Sequence, residues 1–498
     1  MQIKNYMLIF ATVGAVSWAY AAEPASGPVR VEEGVDPSST STKLFTSQEA
    51  GLPSSAREVN VTAPFDDANH AWTLPELVDE ALKRNPQTTQ AWQQANSLAA
   101  QLGVQKAQNY PTISVGAEGG ASHTTQPTAD SRNTSNQLFI GPTVQMQYLL
   151  LDFGSRKAGQ EQARFNLISQ NFNFNKTLQN VTLNVMNSYY NLDGANVRLE
   201  NAETALQLAD AVYQQTVIKV RAGLATSTDL AQAQQSVEQY RYNLEGARGN
   251  VSTAQVTLAT NLGIPGNAPL KIAAPTSLPS LEVLSVQVDK LIDMAFRQRP
   301  DLAAKYNSWR SQLASVDLAE ANRWPALNMN VGLQRDYYLT DQSAPNGVDH
   351  QDNASAVLSF SFDLFDGGSK SYQIKSAKAL AEAAKADLLN SQLGVISDVV
   401  TNYVAFKTAA KQVDAAQALL VASQNSFDST NISYRNGLKN MIDVLTAQNS
   451  LTLARATLAS ARTDLFNASA NLSNATGSLL ADGSSIAISN PPPAEAKP

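Results

Sequence analysis

The sequence predicts a mostly α-helical membrane protein built from two tandem copies of one helix-strand-strand-helix-helix unit. Three observations predict this fold class: an internal repeat of constant offset, two long intervals without proline, and alternating apolar and polar segments before each interval. Proline interrupts helix interiors and strand ladders, so its absence from 143–264 and 346–490 indicates long helices.

The repeat is recognised from residues that recur in similar contexts. Pro86 and Pro300 lie 214 residues apart, and this offset holds along the chain without a net insertion. Tandem duplication explains such a register, which predicts a first repeat over 73–283 and a second over 284–480. Further pairs at the same offset are Tyr110 and Trp324, Asp152 and Asp366, Tyr189 and Tyr403, Gly223 and Gly437, Asp229 and Asp443, and Gly263 and Gly477.

Helix lengths predict how each unit is arranged. A helix over 156–220 would be roughly 95 Å long at the usual rise per residue. The shorter helices over 86–110 and 228–262 together match that length, so we expect them to stack end to end beside it. The segments 263–284 and 477–493 would then form a collar near the junction or trail beside it.

Four segments alternate in the way that is typical of transmembrane barrel strands, with apolar residues on one face and polar residues on the other. They lie near 112–122 and 138–150 in the first repeat and near 326–338 and 354–365 in the second. A soluble two-sided sheet is the alternative. Because a closed single-chain barrel needs about eight strands, oligomerisation is expected, with two chains supplying eight strands or three supplying twelve.

The N-terminus has the features of a secretory leader. Lys4 supplies the positive charge, residues 7–16 are apolar, and Ala19-Tyr20-Ala21 is an A-x-A cleavage signal. We therefore expect a signal peptide over 1–21 and a mature chain that begins near Ala22.

Composition excludes several classes of function. The 498-residue chain has no cysteine, so it has no disulfide, thiolate metal site, cysteine nucleophile or lipid-anchored mature N-terminus. Its net charge of −7 argues against a nucleic-acid partner. The three histidines are dispersed, and no metal site is assigned. The polar segment 22–72 is interpreted as a flexible extension and 481–498 as a disordered tail.

Two other classes of protein compete with a membrane protein. For an enzyme, Asp366-Gly367-Gly368-Ser369-Lys370 superficially suggests a phosphate loop, but it lacks the G-x-x-x-x-G-K-[ST] spacing. Its counterpart Asp152-Phe153-Gly154-Ser155-Arg156 has the same strand-to-helix turn, so helix capping explains both. We predict no catalytic residue and no cofactor. A secreted coiled-coil structural or adhesive protein would account for the helices but not for the strand pairs.

Two tip hairpins are predicted near 221–229 and 435–443. Each contains a glycine suited to the left-handed position that ends a helix. Each also contains an N-cap followed three residues later by an aspartate, as in a capping box. By this interpretation the tips need no function beyond capping. The residues are Gly223, Thr226 and Asp229 in the first tip and Gly437, Asn440 and Asp443 in the second.

Four motifs repeat at the strand-to-helix turns and the tips: Leu151-Asp152-Phe153-Gly154-Ser155, Phe365-Asp366-Gly367-Gly368-Ser369, Arg221-Ala222-Gly223-Leu224 and Tyr434-Arg435-Asn436-Gly437-Leu438. With the order of elements, they resemble the TolC-like outer-membrane efflux and secretion duct family over about 73–479. The resemblance implies a homotrimer in contact with lipid in the outer membrane of a Gram-negative cell. It also implies a shared twelve-stranded β-barrel on a long periplasmic α-helical tunnel, with a periplasmic adaptor and an inner-membrane transporter as partners.

The resemblance also implies roles for residues at the tips. Asp443 would form a three-fold carboxylate ring, Tyr434 and Asp229 would belong to the contacts that hold the entrance closed, and Lys439 would be the basic gate residue. Thr446 departs from the second acidic ring of the family prototype, which implies a weaker cation filter. The residues implied to dock the adaptor are Arg221, Gly223, Leu224, Arg435, Gly437 and Leu438.

The implied function is passive conduction through an exit duct with a gated periplasmic entrance. Tip helices would move apart when an adaptor binds the open state better than the closed one. Small-molecule efflux and type I protein secretion both remain open.

Overall fold

A computed structural model describes residues 70–127, 132–268, 270–275, 277–339 and 349–480. The predicted leader over 1–21, nearly all of the extension over 22–72 and the tail over 481–498 lie outside these described residues.

The two repeats have matching helices. The first contains β1 (Ala71–Trp72), α1 (Leu74–Arg84), α2 (Pro86–Ala107), β2 (Thr112–Pro127), β3 (Arg132–Leu151), α3 (Ser155–Arg221) and α4 (Ser227–Leu262). After β4 (Lys271–Ile272), the second contains α5 (Val288–Gln298), α6 (Pro300–Ala321), β5 (Ala326–Tyr338), β6 (His350–Ser361), α7 (Ser369–Arg435) and α8 (Met441–Thr476). Each helix of the first repeat starts and ends 214 residues before its counterpart. The tandem fold class is therefore confirmed, with α1 and α5 as helices that the sequence analysis did not predict.

The long helices are α3 and α7, with 67 residues each and a length of about 100 Å. Helices α2 and α4 both pack on α3, and they meet end to end as the length argument predicts. At their junction the Asn85 side chain donates to the Asn261 carbonyl at 2.8 Å. Gly263 ends α4 with φ +77, and a Cβ there would lie 2.9 Å from Asn85 Cα. Glycine therefore allows both the left-handed turn and the close approach.

A small apolar core covers this junction. Leu77 and Ala81 of α1 are fully buried against Val185 of α3 and Leu258 of α4. Beside them, β1 and β4 form a parallel pair, and the Tyr189 hydroxyl donates to the Ala273 carbonyl. The short amphipathic helix α1 is stable because its apolar face is buried by two longer helices.

The corresponding junction of the second repeat is charged. Arg299 replaces Asn85, and its guanidinium donates to Asp301 at 2.6 Å, to Asp398 at 3.0 Å and to the Ala475 carbonyl at 3.4 Å. Burial by itself raises the pKa of Asp301, but the hydrogen bonds and charge of Arg299 outweigh it and hold that pKa below its usual range. This cluster joins α6, α7 and α8.

The first strand pair extends beyond the predicted ranges of 112–122 and 138–150. Strand β2 continues to Pro127 and β3 already begins at Arg132, with unbroken antiparallel pairing between them. The stretch between the predicted strands is rich in threonine and serine, and threonine fits a strand ladder well. A polar composition alone therefore did not indicate a loop here.

Strand β6 lies earlier than the predicted range of 354–365, because it covers 350–361. Its last residue, Ser361, pairs with Ala326, the first residue of β5. Pro325 precedes that residue and has no amide hydrogen with which to extend the ladder. The alternating residues after Ser361 are therefore left outside the sheet.

The strands form one antiparallel sheet in the order β2-β3-β5-β6, and within the described residues β2 and β6 are paired on one side only. Amide and hydroxyl side chains on one face line a concave cavity: Thr143, Gln145, Gln147, Asn330, Gln334, Asn353 and Ser355. The opposite face carries exposed apolar side chains, among them Ile113, Val115, Leu333, Leu358 and Phe360. The sheet thus has one polar and one apolar face.

Candidate functional site at the helix tips

The helix pairs α3/α4 and α7/α8 end in two similar turns. Gly223 has φ +71 and Gly437 has φ +76, and the following leucines donate to the carbonyls of Lys219 at 2.8 Å and Ser433 at 2.9 Å. This is the hydrogen-bond pattern of a helix that ends with a left-handed glycine. Both glycines lie where the sequence analysis expected the helix ends.

The predicted capping boxes are present in both turns. The Asp229 amide donates to Thr226 Oγ1 at 3.1 Å, and the Thr226 amide donates to the Asp229 carboxylate at 2.9 Å. In the second turn the Asp443 amide donates to Asn440 Oδ1 at 2.9 Å, and the Asn440 amide donates back to Asp443 at 3.3 Å. Both aspartates therefore stabilise a helix N-terminus whatever else they do.

Asp443 has a second partner. Lys439 Nζ lies 3.7 Å from its carboxylate, and both side chains are partly exposed. One turn further along α8, the exposed Thr446 hydroxyl donates to the Ile442 carbonyl at 2.8 Å. The structure thus brings together Lys439, Asp443 and Thr446 at the start of α8, as the sequence spacing predicts.

Tyr434 lies apart from Asp229 in its bonding. Its side chain is only 5% exposed, and among the described residues its hydroxyl has no hydrogen-bond partner. The Asp229 carboxylate instead accepts hydrogen bonds from Thr226. The structure therefore does not join the Tyr434 hydroxyl to Asp229.

The ring of Tyr434 is contacted by a residue that the sequence analysis missed. Lys219 Nζ lies 3.7 Å from the ring centroid and donates a hydrogen bond to the Tyr434 carbonyl. Burial by its neighbours lowers the pKa of the Lys219 ammonium group. Lys219 lies in the last turn of α3, and the general preference for basic residues at helix C-termini was the only sequence signal for it.

The expected docking residues all lie on the surface. Leu224 and Leu438 are 76% and 78% exposed, although leucine is a residue that folded proteins usually bury. The structure adds three exposed isoleucines next to them, at positions 218, 432 and 442. The tips therefore form an apolar patch bordered by charge. The six docking residues, Arg221, Gly223, Leu224, Arg435, Gly437 and Leu438, are exposed without exception.

Sites of other kinds were also searched for in the part of the chain that the structure describes. It contains no group of three or more His, Cys, Asp or Glu side chains placed to hold a metal ion. The Asp366 carboxylate accepts from the amides of Gly368 at 2.9 Å and Lys370 at 2.7 Å, so this turn caps α7 as predicted.

Hydropathy was examined along the helices. None of the described helices combines the length and the apolar character that crossing a membrane would require.

Three known proteins illustrate what the chain is similar to. Protein CyaE of Bordetella pertussis is 24% identical over 382 residues, which cover 77% of this chain and 79% of that protein. Nodulation protein T of Rhizobium leguminosarum bv. trifolii is 23% identical over 83% of this chain and 89% of its own length. The solved structure of the outer-membrane channel OprN superposes with a TM-score of 0.72 at 19% identity, covering 81% of this chain and 89% of that one.

A family model shows the same duplication as the structure. The model of the outer membrane efflux protein family matches residues 77–264 and again 291–478. These two ranges are themselves offset by 214 residues, from 77 to 291 and from 264 to 478. The chain therefore belongs to the outer membrane efflux protein family, and its predicted location in the outer membrane is confirmed.

Proposed function

We propose that this protein is the outer-membrane exit duct of a tripartite efflux or type I secretion system. It conducts passively through a homotrimeric, twelve-stranded barrel and a periplasmic helical tunnel with a gated entrance. A periplasmic adaptor and an inner-membrane transporter are its partners. Conduction along a polar passage involves no covalent step, so the proposed function is not enzymatic, and it needs no cofactor or nucleic acid.

The two-sided sheet is the observation that carries this proposal. Its concave face is lined by amides and hydroxyls, whereas large apolar side chains lie exposed on the convex face. A membrane barrel has this pattern, with water inside and lipid outside. Since one chain contributes β2, β3, β5 and β6 with both edges open, three copies joined edge to edge would form a twelve-stranded barrel.

The helices support association between copies. One face of α7 carries exposed apolar residues at spacings of three and four, which is the pattern of a helix that packs against another helix. Within one chain this stripe is uncovered, and a continuous exposed apolar surface of this kind indicates an interface. A second copy of the same chain would bury it. The stripe consists of Leu389, Leu393, Ile396, Val400 and Val404.

The tips support a gated entrance with a protein partner. Exposed leucines and isoleucines at both tips lie beside the arginines of the tip motifs, Arg221 and Arg435. Such a surface suits an adaptor that buries the apolar side chains and pairs with the charges. In the proposed gate Asp443, Asp229, Tyr434, Lys439 and Thr446 line or close the entrance. An adaptor that binds the separated tips more tightly would shift the population towards the open state.

Mass and conductance test the proposal together. Protein extracted in detergent from outer membranes is expected to have the mass of three chains and to form ion-conducting channels in planar bilayers. A monomer that stays soluble without detergent and does not conduct would contradict the proposal and would favour the secreted coiled-coil alternative.

A further inference from the structure

The contact between Lys219 and Tyr434 joins the tips of the two repeats. Lys219 lies in the last turn of α3, and Tyr434 lies in the last turn of α7. The two residues are 215 positions apart, and the Lys219 ammonium both covers the Tyr434 ring and donates to its backbone carbonyl. Because α3 and α7 belong to different hairpins, separation of the hairpins must break this contact.

Three interactions favour the ammonium group at this position. The last carbonyls of a helix lack intrahelical partners, and they form the negative end of the helix dipole. An aromatic ring attracts a cation to its face. The ring is held in place because it packs in a cluster of buried residues from α3, α4, α7 and α8: Val212, Ala233, Phe427, Met441, Val444, Ala447 and Leu451.

The hydroxyl group of Tyr434 takes no part in this arrangement. It is buried without a hydrogen-bond partner among the described residues, while Asp229 is engaged by its own cap residue, Thr226. Tyr434 therefore acts through its ring and its carbonyl. This predicts that phenylalanine can replace it.

The contact is specific to one pair of tips. The residue 214 positions after Lys219 is Ser433, and the residue 214 positions before Tyr434 is Val220. A serine and a valine cannot form a cation–π contact. The duplication thus retained similar caps in both tips but placed this clasp between α3 and α7 alone.

We propose that Lys219 is a positioning residue of the entrance gate, whose ammonium group holds the α7 tip against the α3 tip in the closed state. This inference rests on the proposed gated channel. It adds a residue to the gate and assigns to Tyr434 a contact different from the one that the family resemblance implies.

A chemical rescue experiment tests the clasp, because the chain contains no natural cysteine. The single thiol introduced by Lys219→Cys removes the ammonium group, and alkylation with 2-bromoethylamine restores one at nearly the same distance from the backbone. Single-channel recordings of the full-length protein in planar bilayers measure the ratio of open to closed time. We expect Lys219→Cys to raise this ratio about tenfold.

Treatment with 2-bromoethylamine should return the ratio to that of the wild type, whereas iodoacetamide, which adds a neutral group, should not. Lys385→Cys, at an exposed position on α7, is the matched control and should leave gating unchanged. Tyr434→Phe should behave as the wild type, and Tyr434→Leu should behave as Lys219→Cys.

The outcomes separate the two proposals. If the wild type conducts and gates but Lys219→Cys has the same ratio of open to closed time, the clasp is refuted while the channel stands. An increase that both reagents reverse, or neither, would also refute it, because the charge would then be irrelevant. If the wild type forms no channel, both the proposed function and the clasp are overturned.

Discussion

Replacement of Arg299 by methionine should open the junction of α6, α7 and α8 locally at neutral pH. The Arg299 side chain is only 8% exposed and donates to Asp301, to Asp398 and to the Ala475 carbonyl. Methionine preserves much of the apolar stem but leaves Asp301 partly buried without its guanidinium partner.

The magnitude follows from how buried each partner is. Breaking a fully buried ion pair costs about 3–5 kcal/mol, whereas an exposed pair contributes about 0–1 kcal/mol. The Asp301 side chain is 28% exposed and that of Asp398 is 55% exposed, so the cluster lies between these limits. We expect a loss of about 2 kcal/mol, which corresponds to about a 30-fold change in a local opening equilibrium.

Amide hydrogen exchange of the detergent-solubilised protein measures this opening. The amides near the start of α6 and the end of α8 should exchange about 30-fold faster in Arg299→Met at neutral pH. Lys305→Met is the matched control, because Lys305 forms an exposed pair with Asp387 at 2.7 Å whose loss should change exchange little.

The pH dependence gives a second criterion. Arg299 lowers the pKa of Asp301 below its usual range, so the stabilisation is fully present above the unfolded value of about 3.9 and is lost as the pH falls through the folded value. The difference between variant and wild type should therefore shrink below about pH 4. Equal exchange rates in the two proteins at neutral pH, or a difference that does not depend on pH, would refute the reasoning.

Three further predictions concern the remaining sites. Gly263→Ala should destabilise the first junction by at least about 1 kcal/mol in thermal unfolding because of its positive φ and the close Asn85 backbone, whereas Gly246→Ala, which meets open space within α4, should be neutral or stabilising. Asp443→Ala should raise conductance and lower cation preference in planar bilayers; if it only lowers the melting temperature, as a lost cap does, its gate role is wrong. Tyr189→Phe should cost about 1 kcal/mol by loss of the bond to the Ala273 carbonyl; because burial raises the pKa of Tyr189 to about 12, an absorbance titration should also show that the variant loses only a tyrosine that ionises late.

The contacts between repeats show where sequence reasoning stops. The caps of Thr226 and Asn440 were predictable because their partners lie three residues away. The partners Lys219 and Tyr434 are 215 residues apart, so no local pattern relates them, and their contact depends on how the hairpins pack.

Arg299 is a similar case. The repeat register places it opposite Asn85, which suggests only another helix start. Its partners on α7 and α8 become neighbours only after the long helices pack together. The two short helices α1 and α5 were missed because each depends on burial against longer helices rather than on its own length.

The sequence by itself determined the duplication, the ends of the long helices and the alternation of the strands. These features follow from proline, glycine and hydrophobic periodicity, which act within a few residues and are written twice in this chain at one offset. The tertiary structure decided the strand ends, the charged junction at Arg299 and the clasp at Lys219. Each of these depends on which residues distant in sequence face one another, and packing and strand register decide that.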